Sequence, residues 1–238
     1  MISFVIPAHN EELCLPKTLA ALQSAADEVG QAYEIIVVSD SSSDGTSDIA
    51  IRFGVRLIEV TLQHISATRN AGARQAHGDY FFFVDADTQV NANAIRDAIE
   101  AMARGAVGGA CHFQYDGSIP IWARLMLPLG NCVGRIFAWA GGAFFFCQRM
   151  DFEAVGGFSE EVFAAEDLAL IQTLKSRGRF VILKPKVLTS NRKIESMSLA
   201  RGLAILFRIL VRGPKSYSSR AGLELWYDSN ARSMPRKG

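Results

Sequence analysis

The chain reads as an α/β protein, a doubly wound and mostly parallel sheet flanked by helices, with a basic amphipathic helical extension at its C-terminal end. Three observations lead there. Short apolar runs alternate with helical periodicities through the first 84 residues, each run ends in polar or acidic residues, and the run Phe81–Val84 stops at two aspartates one residue apart. Repeated strand–helix–strand units need parallel pairing, because each helix returns the chain to the side where the next strand begins.

The elements follow in order. Ile2 to Pro7 is an apolar strand, and Glu11 to Val29 carries Leu15, Leu19, Leu22 and Ala26 at helical spacing. Tyr33 to Ser39 is the second strand, Asp48 to Phe53 a short helix, and Val55 to Val60 the third strand. Ala67 to Ala76 is a helix, and Asp79 to Val84 is the fourth strand, apolar enough to be covered on both faces. A further helix is expected from Glu166 to Lys175, and glycine pairs at 141–142 and 156–157 bracket a Phe-rich strand. These glycines either let backbone approach a ligand or end strands.

Open α/β sheets bind ligands outside the carboxyl ends of their strands. Three polar clusters should therefore share one crevice: His9, Asn10 and Glu11; Asp40 to Asp44; and Asp85 with Asp87. Two carboxylates so placed raise each other's pKa unless a cation lies between them. Hard divalent cations, Mg²⁺ or Mn²⁺, choose such oxygens and keep positions open for phosphate. The alternative is an ordinary acidic turn. A dinucleotide-binding turn GxGxxG is absent after the first strand, which reads PAHNEE, and no P-loop GxxxxGK[ST] occurs.

Five segments carry a resemblance: FVIPAHNEE at 4–12, VVSDSSSDGT at 37–46, ATRNAGARQAHGDYFFFVDADT at 67–88, GGAFFFCQRMDFEAVGGF at 141–158 and AAEDLAL at 164–170. In this order they resemble the signature of the family 2 glycosyltransferases, whose fold is called GT-A. The match implies a GT-A domain over 1–190, with a nucleotide-sugar half at about 1–115 and an acceptor half at about 116–190, and leaves 191–238 as the basic helical extension. It implies a metal-dependent enzyme that moves a sugar from a nucleotide-diphosphate donor. Pro7, Ala8, Glu11, Asp40, Asp85 and Ala86 would bind the nucleotide sugar, Asp85 with Asp87 would hold Mg²⁺ or Mn²⁺ on the diphosphate, and Asp167 with Glu166 would serve acceptor activation. Two features depart from the family pattern. Ser39 replaces a common first aspartate, and the QxxRW motif of processive synthases is missing, which implies one sugar per turnover.

The same chemistry can be assembled from the residues. Departure of a diphosphate needs charge stabilisation, which a cation held by Asp85 and Asp87 supplies, and a hydroxyl acceptor needs a carboxylate to take its proton. Asp167 or Glu166 is placed for that; helix-dipole stabilisation by N-terminal acidic residues is the competing explanation. Single displacement of this kind inverts the anomeric configuration, and a lipid phosphate acceptor is the alternative to a hydroxyl. Arg69 and Asn70 either reach the diphosphate or belong to a solvated helix face. His9, His64, His77 and His112 have no zinc-ligand spacing. A nucleotidyltransferase, which needs a Gly-rich basic loop after the first strand, and a non-catalytic sugar-nucleotide-binding protein are the rival functions.

Composition sets the outer limits. With 238 residues, 49% hydrophobic, the chain can bury a substantial core, and a net charge of +1 gives no support for a nucleic-acid partner. Cys14, Cys111, Cys132 and Cys147 form no CxxC pair, and the first strand starts at Ile2, so reduced thiols in a cytoplasmic protein are expected. From Arg192 onward ten Lys or Arg stand against three acidic residues, a net +7 that leaves −6 on residues 1–191. Within 198–212, Leu199, Leu203, Leu206, Phe207 and Leu210 oppose Arg201, Arg208 and Arg212. That helix either lies peripherally on the anionic inner face of a membrane, near a lipid-linked acceptor, or packs on the domain itself. The apolar stretch Ile119 to Cys147 is broken by Arg124, Pro128 and Arg135 and is too interrupted to span a bilayer.

Overall fold

The computed structural model describes residues 1–126, 143–161 and 166–195. Its frame is one eight-stranded sheet. Strands β1 (Ile2–Ala8), β2 (Tyr33–Asp40), β3 (Arg56–Val60) and β4 (Tyr80–Val84) are joined by helices α1 (Leu15–Val29), α2 (Thr46–Arg52) and α3 (Ile65–Gln75). There follow β5 (Thr88–Gln89), α4 (Ala92–Ala103), β6 (Ala106–Tyr115), β7 (Phe144–Gln148), α5 (Arg149–Ala154), α6 (Glu166–Lys175), β8 (Arg179–Thr189) and α7 (Arg192–Glu195). The spatial order is β3-β2-β1-β4-β7-β6-β8-β5.

The first four strands are parallel, as their alternation with helices requires. β7 then runs antiparallel between β4 and β6, while β6 and β8 are parallel. Pro7 sits beyond the last β1–β4 pair, Val5 with Phe83, so its missing N–H costs that ladder nothing.

Phenylalanines tie the centre of the sheet to both helical layers, because successive side chains on a strand point to opposite faces. Phe4, Phe82, Phe144 and Phe146 face α1 and α4, with Leu15, Leu19, Leu22, Ile95 and Met102. Val5, Phe81, Phe83 and Phe145 face α3, α5 and α6, with Ala73, Phe152, Leu170 and Leu174. Phe82 stacks on Phe146 with centroids 5.8 Å apart, across the antiparallel β4–β7 pair. Burying a phenylalanine on this scale contributes about 1.5–3 kcal/mol, so the aromatic rows account for much of the core. Gly72 brings α3 down onto the sheet: a Cβ there would stand 2.4 Å from Val5 Cγ1.

The helix expected from Glu11 starts only at Leu15. Residues 11–14 form a turn closed by Cys14 N–H to Glu11 O, and Pro16 fits only a first helical turn. Gly30 ends α1 in the left-handed conformation at φ 73°, its N–H bonded to Ala26 O. Gly141, Gly142, Cys132, the 198–212 helix, most of the interrupted apolar stretch and most of the 191–238 extension lie outside the described residues. Among the described residues no helix is long and apolar enough to cross a membrane.

Candidate active site

Every non-glycine residue with positive φ among the described residues lies where β1, β2 or β3 has just ended: Asn10 at 52°, Ser41 at 54° and Gln63 at 48°. Such conformations cost energy and concentrate where a loop must be held in one shape. Here the holding groups are visible. Asn10 accepts from Ser43 N–H at 2.8 Å, Glu11 N–H donates to Thr46 Oγ1 at 2.8 Å, and Gly45 N–H donates to Glu12 Oε2 at 2.9 Å. The first two polar clusters are thus laced into one wall, with His9 Nδ1 2.6 Å from the Asp40 carbonyl oxygen.

Asp40 is the staple of that wall. Its Oδ1 accepts from the N–H groups of Leu62 and Gln63 at 2.8 and 2.9 Å, and its Oδ2 from His64 N–H at 3.2 Å and Thr68 Oγ1 at 2.7 Å. Burial works against its charge, but the donors from Gln63, Thr68, Leu62 and His64 outweigh it and hold its carboxyl below the ordinary value. Both oxygens therefore serve the loop after β3, and Asp40 shapes the crevice rather than offering a bare carboxylate to it. Pro7 and Ala8 are buried at the end of β1 beside it.

The two aspartates of the pair engage different protein partners. Asp85 Oδ1 accepts from Arg69 Nη2 at 2.8 Å, on the α3 side of the sheet. Asp87, 7% exposed, faces the end of β8: Thr189 Oγ1 is 3.4 Å from its Oδ1, and Arg192 Nη2 is 3.8 Å from its Oδ2. The same Arg192 nitrogen donates to Glu11 Oε2. Each aspartate is matched with a different arginine, so the mutual repulsion expected from sequence is relieved by guanidinium groups. Thr18 Oγ1 fixes the intervening Ala86 by donating to its carbonyl oxygen at 2.8 Å.

Arg69 is 3% exposed and reaches both halves of the chain. Its Nη1 donates to Glu166 Oε1 at 2.5 Å and its Cζ stands 5.2 Å from the Phe158 ring centre. Burial opposes its charge, yet Asp85, Glu166 and Asp167 together push its pKa above the ordinary value. Asp167 is driven toward its neutral form: burial first, then the Glu166 charge, raise its pKa to about 7, with Arg69 opposing. A carboxyl poised there exchanges protons readily near neutrality. Beside it, Asn70 Oδ1 accepts from Phe158 N–H at 3.0 Å and Asn70 Nδ2 donates to Phe158 O at 2.9 Å. This clamps the turn in which Gly156 and Gly157 have φ of 80° and 76°. The pair 156–157 makes a tight left-handed turn.

Arg69 and Asn70 are therefore buried connectors rather than surface residues. Arg192 is the member that sequence reasoning missed, having counted it only as charge in the extension. Nothing in its local pattern marks it; only the parallel return of β8 brings residue 192 to the ends of β1 and β4. Among the described residues no three His, Cys, Asp or Glu side chains are grouped to hold a metal ion by themselves.

The family model described as Glycosyl transferase family 2 matches residues 3–159. The chain belongs to this family. Among curated relatives it is 37% identical over 114 residues to an undecaprenyl-phosphate 4-deoxy-4-formamido-L-arabinose transferase of Aeromonas hydrophila, covering 44% of this chain and 34% of the relative. A transferase of the same name from Pseudomonas aeruginosa is 35% identical over 140 residues, covering 54% and 41%. A dolichol-phosphate mannosyltransferase of Pyrococcus furiosus is 29% identical over 144 residues, covering 57% and 40%. The chain spans well under half the length of these curated relatives. Among solved structures, a mannosyltransferase of Pyrobaculum calidifontis in complex with GDP-Man and Mn²⁺ superposes with a TM-score of 0.66 at 20% identity, over 87% of this chain and 64% of that one. S. aureus TarS in complex with UDP-GlcNAc gives 0.61 at 17%, over 87% and 66%. The expected GT-A architecture, a mostly parallel sheet with helices on both faces, is the architecture found.

Proposed function

We propose that this family 2 glycosyltransferase moves one sugar per turnover from a nucleotide diphosphate to the phosphate of a polyprenyl lipid, with inversion at the anomeric carbon. The observation that carries the reading is the alignment of carboxylates along the sheet's carboxyl end: Glu11, Asp87, Asp85, Glu166 and Asp167, bridged in sequence by Arg192 and Arg69. The relatives named as undecaprenyl-phosphate and dolichol-phosphate transferases support the acceptor class.

Asp85 and Asp87 would hold Mg²⁺ or Mn²⁺. Two carboxylates at a strand end are a hard-oxygen donor set of the right kind, too few to saturate the ion without a diphosphate, and a relative in fold carries Mn²⁺ with its nucleotide sugar. The ion would supply Lewis-acid neutralisation of charge on the diphosphate. Pro7, Ala8, Glu11 and the loop stapled by Asp40 would wall the nucleoside, and Arg192 adds positive charge at that edge. On the opposite side Asp167, with a pKa of about 7, would take the second proton of a lipid monophosphate, whose own second pKa is about 6. The elevated Asp167 pKa also favours a second reading, a hydroxyl acceptor deprotonated during attack.

Calorimetry of the purified chain against a panel of nucleotide sugars, with Mn²⁺ and with chelator, tests the donor half. Binding of one donor class that disappears with chelator is expected; no binding under either condition counts against the proposal. The 198–212 segment, if it lies on membrane, should bind anionic liposomes in a salt-sensitive way, and loss of that binding in Arg201→Gln, Arg208→Gln, Arg212→Gln is the expected control.

A further inference from the structure

We propose that Arg69 is a positioning residue that holds the acceptor-side helix α6 to the donor-side strand β4, and does not itself bind the diphosphate. The inference rests on the glycosyl-transfer reading above for its kinetic consequences, but its structural content stands on geometry alone. Each terminal nitrogen of the guanidinium is committed to a different carboxylate: Nη2 to Asp85 at 2.8 Å and Nη1 to Glu166 at 2.5 Å. Those carboxylates lie on elements far apart in the chain, Asp85 at the end of β4 and Glu166 at the first turn of α6. The group is 97% withdrawn from solvent, with Phe158 against its face at 5.2 Å.

A diphosphate ligand would need the guanidinium directed into the crevice, whereas both terminal nitrogens donate to protein carboxylates and Nε, which has no hydrogen-bond partner among the described residues, is buried with the rest of the group. The neighbouring Asn70 makes a second attachment of the same helix to the acceptor half, through both backbone groups of Phe158. α3 is thus a strut with two adjacent fastenings, one ionic and one neutral. The ionic one sets the distance between Asp85 and the start of α6, and with it the position of Asp167 one residue further on. Misplacing a reacting group by about 1 Å costs about 10²-fold in rate, so a strut of this kind acts on kcat.

Arg69→Lys is the decisive variant, because one ammonium on a shorter stem cannot replace a planar fork that gives one nitrogen to each of two carboxylates. Three readouts separate the possibilities. Donor affinity in Mn²⁺, by calorimetry, should stay within about 3-fold of wild type, kcat for transfer should fall by about 10²-fold, and amide exchange over 166–175 should accelerate by about 10-fold. Arg69→Gln takes the guanidinium away from both carboxylates and should reproduce the kinetic defect and the faster exchange; Arg69→Lys, which keeps a positive charge there, carries the test should Arg69→Gln fold poorly. A loss of donor affinity matching the loss of kcat would overturn the proposal in favour of a diphosphate ligand. Unchanged exchange over 166–175 would overturn it outright. If the wild-type chain transfers no sugar, the glycosyl-transfer reading fails, while the exchange measurement still decides whether Arg69 is the strut.

Discussion

Arg192 and Glu11, separated by 181 residues of chain, share a charge-assisted hydrogen bond at the carboxyl edge of the sheet, and the same guanidinium nitrogen lies 3.8 Å from Asp87. One cation thereby compensates two carboxylates that are themselves almost fully buried, Glu11 at 6% and Asp87 at 7% exposure. Arg192→Gln should remove the cation that stands between that pair of charges. Full burial would make the loss about 3–5 kcal/mol; with Arg192 partly in solvent, about 1–3 kcal/mol at pH 7 is expected. Urea unfolding measures it. Saturating Mn²⁺ should restore part of the loss, since a cation bound only to the folded state stabilises it; a variant as stable as wild type contradicts the assigned pairing.

Asp87→Ala tests the proposed ion. The backbone oxygen of Asp87, which accepts from Ser190 N–H at 3.1 Å, survives the substitution, so the β5–β8 pairing beside it should remain folded. Mn²⁺-dependent donor binding should disappear while circular dichroism is unchanged. Calorimetry showing wild-type affinity with the same Mn²⁺ dependence would remove Asp87 from the metal site.

Asp167 makes a pH-dependent prediction with a definite sign. Its pKa is about 7 in the folded chain against an ordinary 3.8, so between those values the folded state binds more protons than the unfolded state. Its contribution to stability is then greatest below pH 3.8 and declines as pH rises to about 7. Asp167→Asn, which never ionises, should exceed wild type in stability by on the order of 2 kcal/mol at pH 8 and by much less at pH 5. Transfer responds oppositely, because only the carboxylate accepts a proton. With a lipid phosphate acceptor the variant should be slow at pH 6 and recover by pH 8; with a hydroxyl acceptor the loss should be about 10²–10⁴-fold throughout.

Gly157→Ala should disturb the acceptor side through backbone geometry. The position has φ 76°, and a Cβ would meet Asn70 Oδ1 at 2.8 Å and Phe152 Cζ at 3.1 Å. Left-handed strain and loss of the Asn70 clamp together should cost about 2–4 kcal/mol. Gly156→Ala, whose Cβ meets nothing within 4 Å, carries only the strain and should cost about 1–2 kcal/mol. Thermal unfolding of the two variants ranks them.

The strand–helix alternation through Val84 was legible because β1 and β4 are apolar runs buried on both faces and the long helix α1 shows its period. Beyond it the signal weakens for physical reasons. β6 contains Gly108 and Gly109, which sequence rules read as breakers. They are there because a Cβ at Gly109 would stand 2.3 Å from the Phe146 ring and 2.5 Å from the Val181 carbonyl. The antiparallel insertion of β7 has no local signature, since Phe144–Phe146 would be equally apolar in either direction. The residue types of the site were visible as acidic clusters, but their pairing was not. That Asp85 belongs to Arg69, Asp87 to Arg192, and Asp40 to the loop at 62–64 depends on contacts spanning 16 to 105 positions, which periodicity does not encode.

Transfer to a lipid phosphate is read out by incubating the wild-type chain with its bound nucleotide sugar, Mn²⁺ and undecaprenyl phosphate, and resolving the lipid products by mass spectrometry. A lipid monophosphate bearing one sugar is expected, formed only with metal and released together with the nucleoside diphosphate. A chain that binds the nucleotide sugar in Mn²⁺ yet leaves the lipid phosphate unmodified would contradict the proposed transfer.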